Sequence, residues 1–395
     1  MKIVGTTVFY KFLMKYDYII AGSGCAGLSL LYRILQEPNL RNSSILVIDK
    51  DDKKNNDRTW CFWEKETGVF EDLVCAKWEK LEFLSTDFKK ELDLGRYTYK
   101  MIRGLDFYDF VFNEVKKFSN VTFVKDEIIS IDSNENSASV KTSKDLFTSK
   151  YVFNSTSIFN PKITEENSLL QHFKGWVIET EKPVFDNQVG RLMDFTLSQE
   201  NGATFMYVLP TSKTQALVEY TLFSPNLLDK AAYTSALKDY IKTILKIDNY
   251  TISHEEFGVI PMSLAKFEKN PMKNVVNIGT AGGFTKASSG YTFQFIQKNT
   301  AEIVANLVQN KNPNQPLNFQ NKIYNWYDRT LLDVLLSKKL TGKEVFTIMF
   351  QKIPVAQLFA FLGNESTFLE DINIMKSLPL MPFMTSGIKQ LLIKK

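Results

Sequence analysis

The sequence of 395 residues predicts an α/β fold: a Rossmann-like domain with a parallel sheet, an inserted antiparallel-sheet domain and a helical C-terminal part. Three observations carry this. A strand, a glycine turn, a helix and a second strand follow one another at the start of the chain. A second strand-then-glycine turn returns at residues 274–283. Between them, apolar and polar residues alternate with the two-residue period of half-buried strands.

The first element is "DYIIAGSGCAGLSLLYRIL", residues 17–35. Apolar residues 18–21 run into Gly22-Ser23-Gly24-Cys25-Ala26-Gly27, a GxGxxG spacing. Gly22 permits the tight turn, Gly24 lets the backbone approach a phosphate, and Gly27 lets the helix pack on the strand. The N–H groups and dipole at the helix start then favour a pyrophosphate. A second apolar strand, residues 44–48, ends at Asp49 with Lys50 next to it. An acid at that point accepts hydrogen bonds from an adenosine ribose. The alternative is a ligand-free glycine turn with a solvated aspartate. Cys25 reads as a packing residue rather than a reactive thiol.

The polar stretch after Asp49 leads to "NDRTWCFWEK", residues 56–65, read as an aromatic loop. It is either a buried plug or a wall near a cofactor or a cation. Residues 100–118 have the spacing of a helix with Phe107, Phe110, Val111 and Val115 on one face. Arg103 at its start is a candidate for supporting the cofactor. Short strands with polar turns follow, ending at residues 151–154. This antiparallel excursion before a return to the parallel sheet suits FAD-binding folds better than simple NAD dehydrogenases.

Residues 160–254 are strand-rich, with "ATFMYVLPT" and "QALVEYTLFS" as an antiparallel pair and a helix at about 230–246. In the second strand, alternation puts Glu219 on the face of Leu217 and Thr221. Turned toward an apolar cavity, its carboxyl would stay protonated near neutral pH, as a general acid must. Turned toward solvent, it would be an ordinary surface glutamate. "RLMDF" supplies Asp194 among apolar neighbours, and "EEFGVIPM" supplies Glu255 and Glu256. The stretch "NIGTAGGFTKASSGYTF" brings Gly279, Gly282, Gly283 and Gly290 between a strand and a helix, a second turn able to face a pyrophosphate. Many flavin hydroxylases carry Gly-Asp here, whereas this chain has Gly279-Thr280.

These readings divide the chain into residues 14–159 and 255–330 as the two parts of an FAD-binding domain. Residues 160–254 form a substrate domain and 331–395 a helical region. Residues 1–13 lack the apolar centre and cleavage site of a signal peptide and read as an extra tail ahead of Met14. The net charge of +4 is too mild to advertise nucleic-acid binding. Three cysteines in no disulfide or zinc spacing suit a reducing cytoplasm. Two isolated histidines, His172 and His254, argue against a histidine-rich metal centre. No apolar run approaches the roughly 20 residues of a membrane span. The 31 Phe fit either a large apolar cavity or a Phe-rich core. The last stretch, from "IPVAQLFAF" to the terminal lysines, mixes apolar runs with lysines, as an interfacial helix or a helical cap on the core would.

Five stretches in order carry a resemblance: "DYIIAGSGCAGLSL", "NDRTWCFW", "LMDF", "YVLPTSKTQALVEYTLFS" with "EEFGVIPM", and "GTAGGFTKASSGYTFQFI". Together, and over nearly all of the chain from Met14, they resemble the flavoprotein lycopene cyclases, of the bacterial beta-cyclase type. The resemblance implies a glutathione-reductase-like FAD domain. It implies reduced FAD as cofactor with NAD(P)H as electron source, and lycopene and other apolar carotenoids with linear ends as substrates. It also implies peripheral contact with the inner face of the cell membrane from the cytoplasm. The family's catalytic acid maps onto Glu219. Tyr220 follows it where plant members have a second Glu. Asp194 and Glu256 carry over as further site acids, and Gly22, Gly24, Gly27, Asp49, Lys50, Arg103, Gly279, Gly282 and Gly283 as cofactor contacts. The implied chemistry is redox-neutral: protonation of a terminal alkene, closure of a six-membered ring by its neighbour, and loss of a ring proton. Two other classes fit the same fold. One is a redox flavoenzyme such as a hydroxylase, halogenase or desaturase. The other is a prenyl-chain carrier without chemistry.

Overall fold

Strands of unbroken apolar sequence need cover on both faces, and the first two strands receive it. A computed structural model describes residues 14–313 and 318–393. The expected tail over residues 1–13 and the final lysines, Lys394 and Lys395, lie outside the described residues. In chain order the elements begin β1 (Met14–Ala21), α1 (Cys25–Gln36), β2 (Ile45–Asp49), β3 (Thr59–Glu64), β4 (Val74–Trp78), β5 (Lys80–Ser85), β6 (Phe88–Asp93), β7 (Thr98–Arg103), α2 (Gly104–Val115) and β8 (Val121–Lys125). They continue with β9 (Ile128–Ser133), β10 (Ala138–Thr142), β11 (Leu146–Asn154), β12 (Ser168–Glu179), β13 (Val189–Asp194), β14 (Ala203–Pro210), β15 (Gln215–Ser224), α3 (Lys230–Thr243), β16 (Thr251–Ser263) and β17 (Val275–Asn277). Helices α4 (Phe293–Val308), α5 (Phe319–Leu336), α6 (Gly342–Lys352), α7 (Val355–Leu362), α8 (Phe368–Ser377) and α9 (Leu380–Leu392) follow.

The parallel sheet runs β8-β2-β1-β11-β17, and β9 and β10 join it as an antiparallel meander on the first half of β11. Tyr18, Ile20 and Val47 pack against α1, α2 and α4 through Leu28, Phe107 and Ile303. On the other face Ile19, Leu46 and Ile48 meet Ile131, Val140 and Phe147 of the meander. The chain therefore has the α/β class its sequence predicts, with the late β17 completing the sheet that β1 begins.

The large sheet runs β16-β12-β15-β14-β13-β5-β6, antiparallel except where β13 pairs with β5. Strand alternation splits its side chains between two surroundings. Trp176, Val218, Tyr220 and Leu222 pack under α3 against Tyr233 and Leu237. Leu217, Phe205 and Phe223 face the other way, into a core shared with α5, α6 and α7 through Leu332, Phe346 and Phe359. The β5–β6 hairpin comes from within the early segment 14–159 yet extends this sheet. Strand β16 runs continuously through the expected division at 254/255.

A small sheet, β3-β7-β4, stands between the two. It corrects two local expectations. "TWCFWE" is strand β3 rather than loop, since its consecutive aromatic and β-branched residues suit a pleated, half-buried surface. The helix expected from residue 100 begins at Gly104, because Thr98–Arg103 pairs with both β3 and β4. Cys25, Cys61 and Cys75 are free thiols. Among the described residues no helix is long and apolar enough to cross a membrane, and no group of His, Cys, Asp and Glu could hold a metal ion.

Candidate active site

The parallel sheet and the large sheet both contribute walls to one cavity of about 650 Å3. Gly22, Gly24, Asp49 and Lys50 line one part of it. Tyr99, Tyr207, Glu219, Glu256 and Tyr291 line another, with Arg58, Trp60 and Thr280 also on the wall.

The glycines of the first turn act differently. Gly22 has φ +100°, a left-handed conformation that glycine adopts freely. A Cβ on Gly27 would lie 2.0 Å from the Gly22 carbonyl oxygen, so this glycine lets α1 sit on the turn. At Gly24 the backbone is extended, and a Cβ would meet no described atom within 4 Å. Nothing in the protein requires glycine there, and the space opens into the cavity. Among the described residues no side chain caps the start of α1, which leaves its N–H groups and dipole for an anion. Asp49 Oδ2 accepts hydrogen bonds from the Ser23 N–H (2.6 Å) and hydroxyl (2.9 Å), so the acid braces the turn as well as lining the cavity. Lys50, exposed, lies beside it on the wall.

The second turn docks on the first. Gly279 has φ +60°, and a Cβ on it would lie 2.7 Å from Ala26 Cβ, so the two glycine turns touch across the length of the chain. Gly279 and Thr280 line the cavity. Gly282 and Gly283 serve the turn itself. A Cβ at Gly282 would meet the Asn277 carbonyl oxygen at 2.5 Å, and Gly283 packs on Phe267. Arg103 is drawn away from the cavity into an ion pair with Asp106 at 2.6 Å, and the arginine on the wall is Arg58. Gln171 Oε1 and Ser289 Oγ also belong to wall residues, and both are buried without a hydrogen-bond partner among the described residues. The residues present therefore fit a dinucleotide with a polar ring system such as FAD: a backbone cradle, a ribose acceptor and unspent hydrogen-bonding atoms.

Glu219 faces the cavity with Leu217, while Val218 and Tyr220 face α3, as the alternation requires. At 9% exposure it is not a surface glutamate. Gly175 of β12 is in register with Glu219 of β15 on one side and with Glu256 of β16 on the other. A Cβ on Gly175 would meet Glu256 Cγ at 3.1 Å and its Oε1 at 3.2 Å. The missing side chain lets the two carboxyl groups reach each other and share a hydrogen bond. Glu219 Oε1 accepts from the Thr221 hydroxyl at 2.7 Å, and Glu256 Oε2 from the Thr59 hydroxyl at 2.8 Å. Burial, then the charge of Glu256, pushes the Glu219 carboxyl well above the usual carboxylate range. Burial also raises Glu256, but Thr59, the hydrogen bond from Glu219 and the charges of His254 and Arg58 pull it back. Glu219 is thus the member that keeps the proton.

The other acids do not join them. Glu255 points to the α3 side, where it accepts from Trp176 Nε1 at 2.6 Å and pairs with Lys174 at 3.1 Å. Asp194, expected among the site acids, is buried toward α3. It accepts from Tyr240 Oη at 2.6 Å, from the Thr196 N–H at 3.0 Å and hydroxyl at 2.6 Å, and pairs with Arg191 at 3.3 Å. Its lone pairs are committed to holding β13 against α3, and Asp194 does not line the cavity to which the sequence expectation assigns it.

Phenols surround the carboxyl pair. Tyr99 and Tyr291 hydroxyls are 3.4 Å apart. Burial pushes Tyr291 up to about 12 and Tyr99 and Tyr207 well above the ordinary value, so all three are neutral near pH 7. Burial does the same to the Cys61 thiol. The aromatic segment divides its work: Trp60 lines the cavity, Phe62 stacks on Phe293 at 4.4 Å, and Trp63 donates to the Phe359 carbonyl at 3.1 Å. The assembled groups are a carboxyl pair whose members are both held above the usual carboxylate range, Glu219 the further, and neutral aromatic walls. That set supports proton transfer to and from an apolar substrate better than nucleophilic attack.

A family model described as lycopene cyclase protein matches residues 17–387. A lycopene beta-cyclase of Paracoccus sp. (strain N81106 / MBIC 01143) is 26% identical over 309 residues, 74% of each chain. One from Pantoea ananas is 24% identical over 268 residues, 63% of each chain. Among solved structures, a flavoprotein/dehydrogenase from Cytophaga hutchinsonii superposes with a TM-score of 0.66 at 11% identity, covering 95% of this chain and 99% of that one. At that identity the likeness is one of fold.

Proposed function

The chain belongs to the lycopene cyclase protein family, and from that premise we propose that it is a lycopene beta-cyclase. It would be an FAD-dependent isomerase that closes the linear ends of lycopene into beta-ionone rings, yielding gamma- and beta-carotene without net oxidation. One observation carries the reading: Glu219 is buried on the wall of the same cavity that receives the glycine turn, where burial holds its carboxyl well above the usual carboxylate range.

Gly22, Gly24, Asp49 and Lys50 would hold FAD together with Gly279 and Thr280, and Gly27 would keep α1 seated on the turn. Bound in its reduced form, with NAD(P)H as electron source, FAD supplies negative charge that favours a nearby carbocation. Glu219 donates its proton to the terminal alkene. The neighbouring alkene closes on the resulting tertiary cation, and a ring C–H pair becomes the ring double bond as its proton leaves. The faces of Trp60, Tyr99, Tyr207 and Tyr291 attract positive charge. Burial of Glu219 and Glu256 on this wall limits the water that would otherwise add to the cation.

The substrate, a hydrocarbon, dissolves in bilayers. On α8 and α9, Phe368, Leu369, Leu380, Met381, Leu391 and Leu392 are exposed, with Lys376 and Lys389 on the same helices. We read this face as the part that rests on the inner surface of the cell membrane. The functional reading is tested by expressing the gene in lycopene-accumulating cells and identifying the pigment by chromatography. Cyclic carotenes are expected; unchanged lycopene beside a soluble, flavin-loaded protein would sink the proposal.

A further inference from the structure

We propose that Glu219 and Glu256 work as a single-proton dyad built across Gly175, which gives a proton to the substrate and takes one back in each turnover. The inference rests on the cyclase reading for its substrate, and on the sheet register for its geometry.

Gly175 stands between the two glutamates in one row of the sheet. In the middle of a β-strand glycine weakens the element, and its presence marks a close approach of neighbouring groups. Here the approaching groups are the Glu256 side chain and Leu217 Cδ1, each 3.1 Å from where a Cβ would be. Each carboxyl also accepts one hydroxyl hydrogen bond, from Thr221 or Thr59, which fixes its orientation. Two carboxyl groups so placed hold one proton between them, because both cannot be charged together in a dry site.

This has a consequence for the reaction. At rest the pair carries one proton and one negative charge. Donation breaks the Glu219 O–H bond and makes a C–H bond at the less substituted carbon of the terminal alkene, leaving two carboxylates beside a tertiary carbocation. The neighbouring π pair then forms the ring C–C bond. When the ring C–H bond breaks, its electron pair becomes the ring double bond and its proton returns to the dyad. Atoms and electrons balance with no outside acid, base or oxidant. Glu256 supplies charge to the cationic stage and repulsion that draws the proton home. Gly175 touches no substrate in this scheme. It is a positioning residue.

The groups that face the dyad are Tyr207 from β14, Tyr99 from β7, Cys61 from β3, Tyr291 before α4, and His254 and Arg58 beside Glu256. Burial keeps the phenols and the thiol neutral, so His254 and Arg58 are the charged neighbours of the pair. A His254→Gln background removes the first.

The test is infrared titration of the protonated-carboxyl band in the flavin-loaded, full-length protein, paired with pH profiles of lycopene turnover. A protonated carboxyl should persist through neutral pH in the parent and vanish in Glu219→Gln. In Gly175→Ala and in Glu256→Gln the band should remain but titrate at lower pH. Their turnover should fall about 10–100-fold with an optimum moved toward acid, the size expected from misplacing a reacting group. If Gly175→Ala fails to fold, Glu256→Gln alone decides. Parent-like band titration and pH profile in either folded variant would overturn the dyad. Dyad behaviour in the infrared with lycopene left unchanged by the parent would instead overturn the cyclase reading, and with it the assigned proton transfer.

Discussion

Glu219 and Glu256 meet across Gly175, joined by a hydrogen bond, although 36 positions separate them in the sequence. Glu219→Gln keeps the size of the side chain and removes its transferable proton. FAD and lycopene should bind as before. Ring formation should fall by about 10²–10⁴, the usual worth of a general acid. The assay is anaerobic turnover with chemically reduced flavin, read by chromatography. Ring formation near the parent rate would move the proton source elsewhere, with Glu256 next in line.

Gly24→Val separates the cofactor site from the fold. A Cβ at this position meets no described atom, so the protein should fold with an ordinary melting temperature. Flavin absorbance after purification should be lost. Gly27→Val is the contrast: its Cβ would fall 2.0 Å from the Gly22 oxygen, so the soluble yield itself should drop. Full flavin content in folded Gly24→Val would refute the assignment of the turn.

Asp194→Asn should cost stability rather than chemistry. The change leaves Arg191 without one of its two carboxylate partners, Glu82 at 3.2 Å being the other. A loss of about 1–3 kcal/mol is expected for a weakened buried network. Denaturant melts measure it. Turnover per folded, flavin-loaded molecule should be close to the parent; a large specific loss would return Asp194 to the site.

Stability should depend on pH at both ends. The folded value of Glu219 lies above the ordinary 4.5, so the folded state holds its proton more tightly than the unfolded one. That contribution is full below 4.5 and is lost as pH rises toward the folded value. Glu219→Gln should therefore melt higher than the parent, by a margin that widens with pH. His172 works in the opposite sense. Burial between Tyr233 and Ser224 depresses it from 6.5 to about 4, so stability present above 6.5 is lost as pH falls toward 4. Thermal melts of the parent, Glu219→Gln and His172→Gln across pH 4–9 check both signs. An equal shift of Glu219→Gln at every pH would contradict the first.

The apolar face of α8 and α9 should govern membrane contact. Leu391 and Leu392 are 66% and 75% exposed, so changing both to Glu should leave the fold intact. Flotation with anionic liposomes should drop several-fold relative to the parent. Undiminished flotation would remove this face from the membrane reading.

The parallel sheet was legible because its signals are local. An apolar strand, a glycine turn, a helix and an acid lie within one short segment around Gly22 and Asp49. Glu219 was legible for the same reason, through alternation with Leu217 and Thr221. The partner of Glu219 was not, since only strand register reveals that Gly175 aligns Glu256 with it. A glycine inside "HFKGWVIE" was the available signal. Arg103 is a candidate in the sequence because sequence alone cannot see that Asp106 captures it, and nothing local marks Arg58 as the arginine on the wall. Likewise the β5–β6 hairpin joins a sheet whose other strands lie far along the chain, a pairing no local pattern encodes.

The contact between Gly279 and Ala26 also orders events during synthesis. Strand β17 completes the parallel sheet on β11, and the second turn closes on the first helix, only after residue 279 has left the ribosome. Until then the second half of β11 presents an unpaired edge, open to wrong partners. A nascent chain halted before β17 should therefore be held by chaperones or aggregate, and cofactor capture becomes a late, post-assembly event rather than a seed for folding.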